Sequence, residues 1–166
     1  MSLRSYVVTQ LDLVIDEYIK FLEISGAKTV AFAQGGDLIG GSSSQVFRKK
    51  LTRKAMNAFF CKTDRYFEFS GRINEDVNTY CSLGSRGELL FTTRDIVLEQ
   101  TPSQKNSGGM TELYLDDGTY VKSFYSVMCC PSFVKVSTMG VTNIRYHHMV
   151  DWEHGVPKII SGRFRK

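Results

Sequence analysis

Apolar residues recur at helical spacing through residues 8–24, where Leu11, Ile15, Tyr18, Ile19 and Leu22 share one face and Asp12, Asp16, Glu17, Lys20 and Glu23 take the others. Gly26 supplies the stop. A short apolar run at 29–33 reads as a buried strand that leads directly into the glycine-rich Gly35-Gly36-Asp37-Leu38-Ile39-Gly40-Gly41 and three serines. Strands are expected at 55–60 and 66–69, on either side of a polar turn at Lys62-Thr63-Asp64. A helix carrying Glu75 and Asp76 follows and ends at Gly84, and two strands are expected at 88–93 and 96–100. After a polar loop at 102–109, Thr111 is placed to cap a helix over 112–117. Gly118 is expected to break it before a second helix at 119–129, which Pro131 ends. Residues 133–138 alternate like a strand. Alternation of strands and helices predicts an α/β domain with a mixed, mostly parallel sheet flanked by helices.

Size and composition sharpen this. A chain of 166 residues with 42% hydrophobic and 12% aromatic residues suits one folded domain spanning 1–166. No apolar run approaches the roughly 20 residues of a membrane span and no signal peptide is recognisable, so the expected location is cytoplasmic, with no membrane partner. Cys61, Cys81, Cys129 and Cys130 lack a C-x-x-C spacing and read as reduced thiols. A net charge of +4 excludes little, but Arg48, Lys49, Lys50, Arg53, Lys54, Lys62 and Arg65 cluster against a single Asp64, and Arg163, Arg165 and Lys166 form a second basic group. Such clusters suit phosphate oxygens as well as a solvated basic face.

Three further segments could carry chemistry. In Gly71-Arg72-Ile73-Asn74-Glu75-Asp76-Val77-Asn78-Thr79-Tyr80, adjacent carboxylates on a helix point about 100° apart, so Glu75 and Asp76 cannot share one task. One can face a pocket while the other serves the helix start, where acidic side chains are also favoured by the macrodipole. All three histidines fall in Arg145-Tyr146-His147-His148-Met149-Val150-Asp151-Trp152-Glu153-His154. On an extended segment His147 and His148 are expected on opposite faces, so that one at most enters a given pocket. Small residues at Asn106, Gly108 and Gly109, before a helix start at Thr111, suit close backbone approach by an acceptor.

Five pieces together, Ala31 to Gly41, Arg53 to Phe60, Gly71 to Tyr80, Asn106 to Ser123 and Arg145 to Trp152, resemble in order and spacing the TET/JBP-associated glycosyltransferases of phage and bacterial DNA hypermodification. The resemblance covers roughly residues 30–160 and implies a GT-A-like fold and sugar transfer from a nucleotide-sugar donor, with a hydroxylated base in phage DNA as acceptor. It implies Asp76 as catalytic base with Glu75 beside it, and Gly35, Gly36, Arg72 and Asn74 toward the donor. Asn106, Gly108, Gly109 and Thr111 fall toward the acceptor, and His147 or His148 toward a divalent metal, Mn or Mg. Arg48, Lys49, Lys50 and Arg53 are then the candidate contacts to nucleic acid. The family's Asp-x-Asp metal motif has no counterpart before Ala31, so the chain reads as the C-terminal part of such an enzyme, lacking its N-terminal nucleotide-binding strands. Little activity alone, and self-association or a partner chain supplying strands, are the corresponding expectations. Two alternatives stand beside sugar transfer. One is a non-catalytic nucleic-acid or partner-binding remnant; the other is a metal-dependent nuclease built on His147, His148, Asp151, Glu153 and His154.

Overall fold

The computed structural model describes residues 6–38, 48, 51–54, 58–99, 111–139 and 144–157. Helix α1 spans Leu11–Ser25 and ends on Gly26, whose φ of 70° is the left-handed conformation that a glycine adopts without strain; its N–H donates to Leu22 O at 3.2 Å. Strand β1, Thr29–Gln34, follows and passes into a 3-10 turn at Gly35–Leu38. Strands β2, Leu51–Arg53, and β3, Phe59–Cys61, precede a second 3-10 turn at Thr63–Arg65. Helix α2 runs Glu75–Gly84, β4 Leu90–Leu98, α3 Thr111–Cys129, β5 Val134–Met139, β6 Arg145–Val150, and a single turn, α4, Trp152–Gly155.

The main sheet is four-stranded in the order β2-β4-β1-β3. Among the described residues only β1 and β4 run parallel; β3 on β1 and β2 on β4 are antiparallel, as is the separate β5-β6 pair. The α/β class and the mixed sheet hold, whereas the parallel majority does not: apolar periodicity reports burial, not strand direction. Central β1 is closed on both faces, with Val30, Ala31 and Ala33 fully buried. The side-chain alternation around the start of β4 feeds two cores. Leu89 and Phe91 join Tyr18, Leu22 and Phe32 beneath α1, while Leu90 joins Val77, Tyr80, Phe133 and Val134 beneath α2.

Several local expectations are corrected. The strand expected at 55–60 is realised as Phe59–Cys61, preceded by β2 at Leu51–Arg53, and residues 55–57 lie outside the described residues. Residues 66–69 are not a strand: Phe67 and Phe69 leave the backbone ladder and pack as aromatics against Phe59. The two strands expected at 88–93 and 96–100 are the one strand β4, whose pairing with β1 shifts register between Ala31 and Ala33, so that residues 93–96 of β4 lie opposite the single residue Phe32. Gly118 lies inside α3 and does not break it, since residues on both sides stay helical. The loop at 102–109 lies outside the described residues. All four cysteines are free; Cys81 and Cys130 are buried, Cys61 and Cys129 exposed. Among the described residues no helix is long and apolar enough to cross a membrane.

Candidate active site

The end of β2, Tyr80 of α2, both strands of the small sheet and Trp152 converge on an open pocket of about 570 Å3. Arg53, Lys54, Tyr80, His147, His148 and Trp152 are among its walls. Lys54 is set there by the sheet: Thr92 Oγ1 donates to Lys54 O at 2.9 Å, and the Lys54 ammonium pairs with the nearly buried Asp37 carboxylate. That carboxylate also accepts the Gln34 N–H at 3.0 Å, which closes the glycine-rich turn onto β1. The Arg53 guanidinium stacks over the Trp152 ring, 5.6 Å to its centre, and its buried Nη1 has no hydrogen-bond partner among the described residues.

Helix α2 begins in an unusual way. Asn74, ahead of its first turn, has φ 57° and ψ 35°, the one non-glycine residue with positive φ among those described. Asparagine tolerates this conformation better than most residues. Its side chain does not cap the helix: it is buried, with Nδ2 donating to Ser126 Oγ at 2.6 Å and lying 3.3 Å from His148 Nδ1. The following carboxylates diverge as adjacent helix positions must. Glu75 is exposed and Asp76 half-buried. Burial pushes the Asp76 carboxyl above the ordinary carboxylate value, against the downward pull of the Val77 N–H and of the Lys122 and Lys54 charges.

His147 and His148 do not separate as expected. Both line the pocket, with ring centres 4.1 Å apart, because the strand carries them along the pocket's rim and their rings lean together. Burial lowers the pKa of His147, reinforced by the charges of Lys122, Arg145 and Lys54. Burial takes His148 to about 3, so its imidazole is neutral at physiological pH. Tyr80 OH lies 3.5 Å from His148 Nε2, and burial raises its phenol well above the ordinary value.

These observations test a divalent cation at the histidine pair. Among the described residues no group of three His, Cys, Asp or Glu is gathered to hold a metal. Lys54 and Lys122 act on both rings with positive charge, Arg145 acts on His147 as well, and His148 Nδ1 faces an amide donor. The donor set does not fit a divalent cation.

The other predicted positions distribute as follows. Gly35 and Gly36 are exposed on the 3-10 turn beside Asp37, with open space where a Cβ would project. Arg72 is exposed. Thr111 is the first residue of α3, and Asn106, Gly108 and Gly109 lie outside the described residues. Arg48 is exposed, Lys49 and Lys50 lie outside the described residues, and Arg53 belongs to the pocket wall. Arg65 of the same basic run donates to the carbonyls of Gly26 and Ala27 and so holds the end of α1. The acidic and histidine residues of 151–154 form a surface cap, in which Asp151 accepts from the backbone N–H groups of Glu153 and His154 and pairs with the His154 ring at 2.8 Å. Nothing in that cap reaches His147 or His148. Lys54 was legible only as one member of the basic cluster, and Asp37, Tyr80 and Ser126 carried no individual role in the sequence. Asp37 had a usable signal, as the lone carboxylate within the glycine-rich run.

The arrangement is that of an α/β protein with a pocket walled by Arg53, Lys54 and two histidines; Asp76, whose carboxyl is raised in pKa, does not line that pocket but feels the charge of Lys54 in its wall. The family model described as TET-Associated Glycosyltransferase matches residues 2–109, and the chain belongs to that family. No curated protein and no solved structure gives a significant match. The matched segment contains Asp37, Lys54, Asn74, Asp76 and Tyr80, while Ser126, His147 and His148 come from beyond it.

Proposed function

We propose that this chain forms a GT-A-like sugar-transfer site that moves a glycosyl group from a nucleotide-sugar donor to a hydroxylated base in DNA, with Asp76 as the base. The observation that carries the reading is Asp76 itself: a half-buried carboxylate at a helix start, raised in pKa by burial, under the influence of two lysine charges. A carboxylate raised above its ordinary value is, in its ionised form, a better proton acceptor. In a direct displacement the acceptor oxygen attacks the anomeric carbon as its proton passes to Asp76. The bond from that carbon to the diphosphate oxygen breaks, and its electron pair leaves with the diphosphate. Lys54, which also pairs with Asp37, together with Lys122 and the stacked Arg53 would balance the departing charge. One such displacement inverts the anomeric centre.

A base inside a duplex cannot reach such a pocket, so the acceptor is a single-stranded or flipped base. The exposed Arg48 with Lys49 and Lys50 supplies the charge to hold a phosphate backbone in this reading. The test is incubation of the purified chain with a panel of nucleotide sugars and an oligonucleotide carrying a hydroxylated base, read by mass spectrometry. A hexose mass increment that vanishes in Asp76→Asn is expected. Unchanged transfer in a folded Asp76→Asn variant removes Asp76 from the chemistry. Donor binding without transfer by the wild-type chain favours a non-catalytic binding module.

A further inference from the structure

A chain of buried hydrogen bonds behind the pocket has only one consistent proton arrangement. It starts at two backbone carbonyls, which can only accept: the terminal atom of Asn78 lies 3.2 Å from Ser70 O and 2.9 Å from Ile73 O, and is therefore the amide nitrogen. Asn78 Oδ1 then faces Ser126 Oγ at 2.8 Å and must receive that hydroxyl's single proton. Ser126 Oγ, having given its proton away, can only accept from Asn74, 2.6 Å away, so Asn74 presents its own amide nitrogen. The same nitrogen meets His148 Nδ1 at 3.3 Å, which must be the lone-pair nitrogen of the ring. Asn74, Asn78 and Ser126 are each at most 3% exposed, so water does not compete for these bonds.

We propose that Asn78, Ser126 and Asn74 are positioning residues that lock His148 as its Nε2–H tautomer, so that the pocket meets a hydrogen-bond donor rather than a lone pair at this wall. The Nε2–H points toward Tyr80 OH, 3.5 Å away. A phenol that accepts from His148 keeps its own proton for the pocket, which suits an oxygen acceptor such as a phosphate or a sugar hydroxyl. The proposal stands independently of sugar transfer, because it concerns where one proton sits. The chain begins in the loop before α2 and passes through α3, so the tautomer of a strand residue is dictated by two other elements. Thr79 Oγ1 accepts the Ser70 N–H at 2.8 Å and keeps the starting carbonyl in place.

The experiment is a long-range 1H–15N correlation spectrum of the imidazole rings in the full chain near neutral pH, with His148 assigned by difference from His148→Gln. Wild type is expected to show a lone-pair-type Nδ1 and a protonated Nε2 for His148. A protonated Nδ1, or an averaged pair, in the wild-type chain overturns the proposal. Asn74→Asp keeps a residue that tolerates the left-handed backbone but replaces the donor with an acceptor, and should move a proton onto His148 Nδ1. A folded Asn74→Asp protein that keeps the wild-type pattern also overturns it. Ser126→Ala frees the Asn74 amide to rotate and should end the single-tautomer pattern; its persistence would mean that Ser126 positions nothing.

Discussion

The ring of Trp152 occupies the space into which a side chain on Gly84 would grow: a Cβ there would lie 2.7 Å from Trp152 Cζ3. The last residue of α2 is thereby fitted to the residue that closes the pocket, and the same indole carries Arg53 on its other contacts and packs on Tyr80 and Phe133.

Gly84→Ala is therefore expected to be destabilising, by about 1–3 kcal/mol for an overpacked site that must push an indole aside. Thermal or denaturant unfolding measures it. Gly35→Ala and Gly36→Ala meet open space and should stay within about 0.5 kcal/mol of wild type. If the exposed glycine turn approaches a donor closely, these two variants will lose donor affinity at unchanged stability, read by calorimetric titration of nucleotide sugar.

Arg53→Lys tests the stacking. A lysine keeps the charge but not the planar face, so about 0.5–1 kcal/mol of cation–π attraction is expected to go, with a lower melting temperature and weaker binding of anionic ligands in the pocket. Equal stability and equal anion affinity would show that the guanidinium plane contributes nothing there.

The pH dependence of transfer should carry the signature of Asp76. With Asp76 as the proposed base, activity would require the ionised carboxylate, so the acid limb of kcat/KM should lie above the ordinary carboxylate value. Lys122→Gln should push it higher still, because the Lys122 charge lowers this pKa. For stability the sign is the reverse of the usual carboxylate. The folded chain holds the Asp76 proton more tightly than the unfolded chain does, so this contribution is full below 3.8 and falls as pH rises toward the raised folded value.

His148 acts in the opposite sense. Its folded value of about 3 lies below the 6.5 of a free imidazole, so between those limits the unfolded chain binds a proton that the folded chain refuses. Stability from this group is complete above 6.5 and declines as pH falls toward 3. Comparing denaturation midpoints of wild type and His148→Gln across that window should show a shallower acid loss in the variant; parallel curves would place the imidazole in water rather than in the protein.

How much of this could be read from the sequence depended on the range of the determining interactions. Helix α1 with its Gly26 stop, and α2 from Glu75 to Gly84, are set by local spacing and were legible. Helix geometry alone likewise required Glu75 and Asp76 to diverge, but not which of the two is buried, which packing decides. The direction of β3 and β2 was not legible, nor was the bulge that joins Leu90–Leu98 into one strand, because pairing partners decide both. Gly118 read as a break since its roughly 1 kcal/mol propensity cost is local, while the packing of α3 on the small sheet that overrides it is not. In the site, Asp76, His147 and His148 carry recognisable chemistry. The pairing of Asp37 with Lys54 and the roles of Ser126 and Tyr80 exist only once distant segments have met.

That distance has a kinetic and thermodynamic consequence. The bonds that build the site join residues 38, 48, 52, 68 and 74 positions apart. Closing such long loops is slow relative to forming a helix, so the pocket should mature late in folding, after α1 and α2 have formed their first turns. No single segment can keep the cleft while the others unravel, and a ligand that fits it binds only the assembled chain. At a hundred times its dissociation constant such a ligand would add about 2.7 kcal/mol to the unfolding free energy of the whole protein. A melting-temperature screen would thus detect candidate donors and acceptors before any transfer reaction is known.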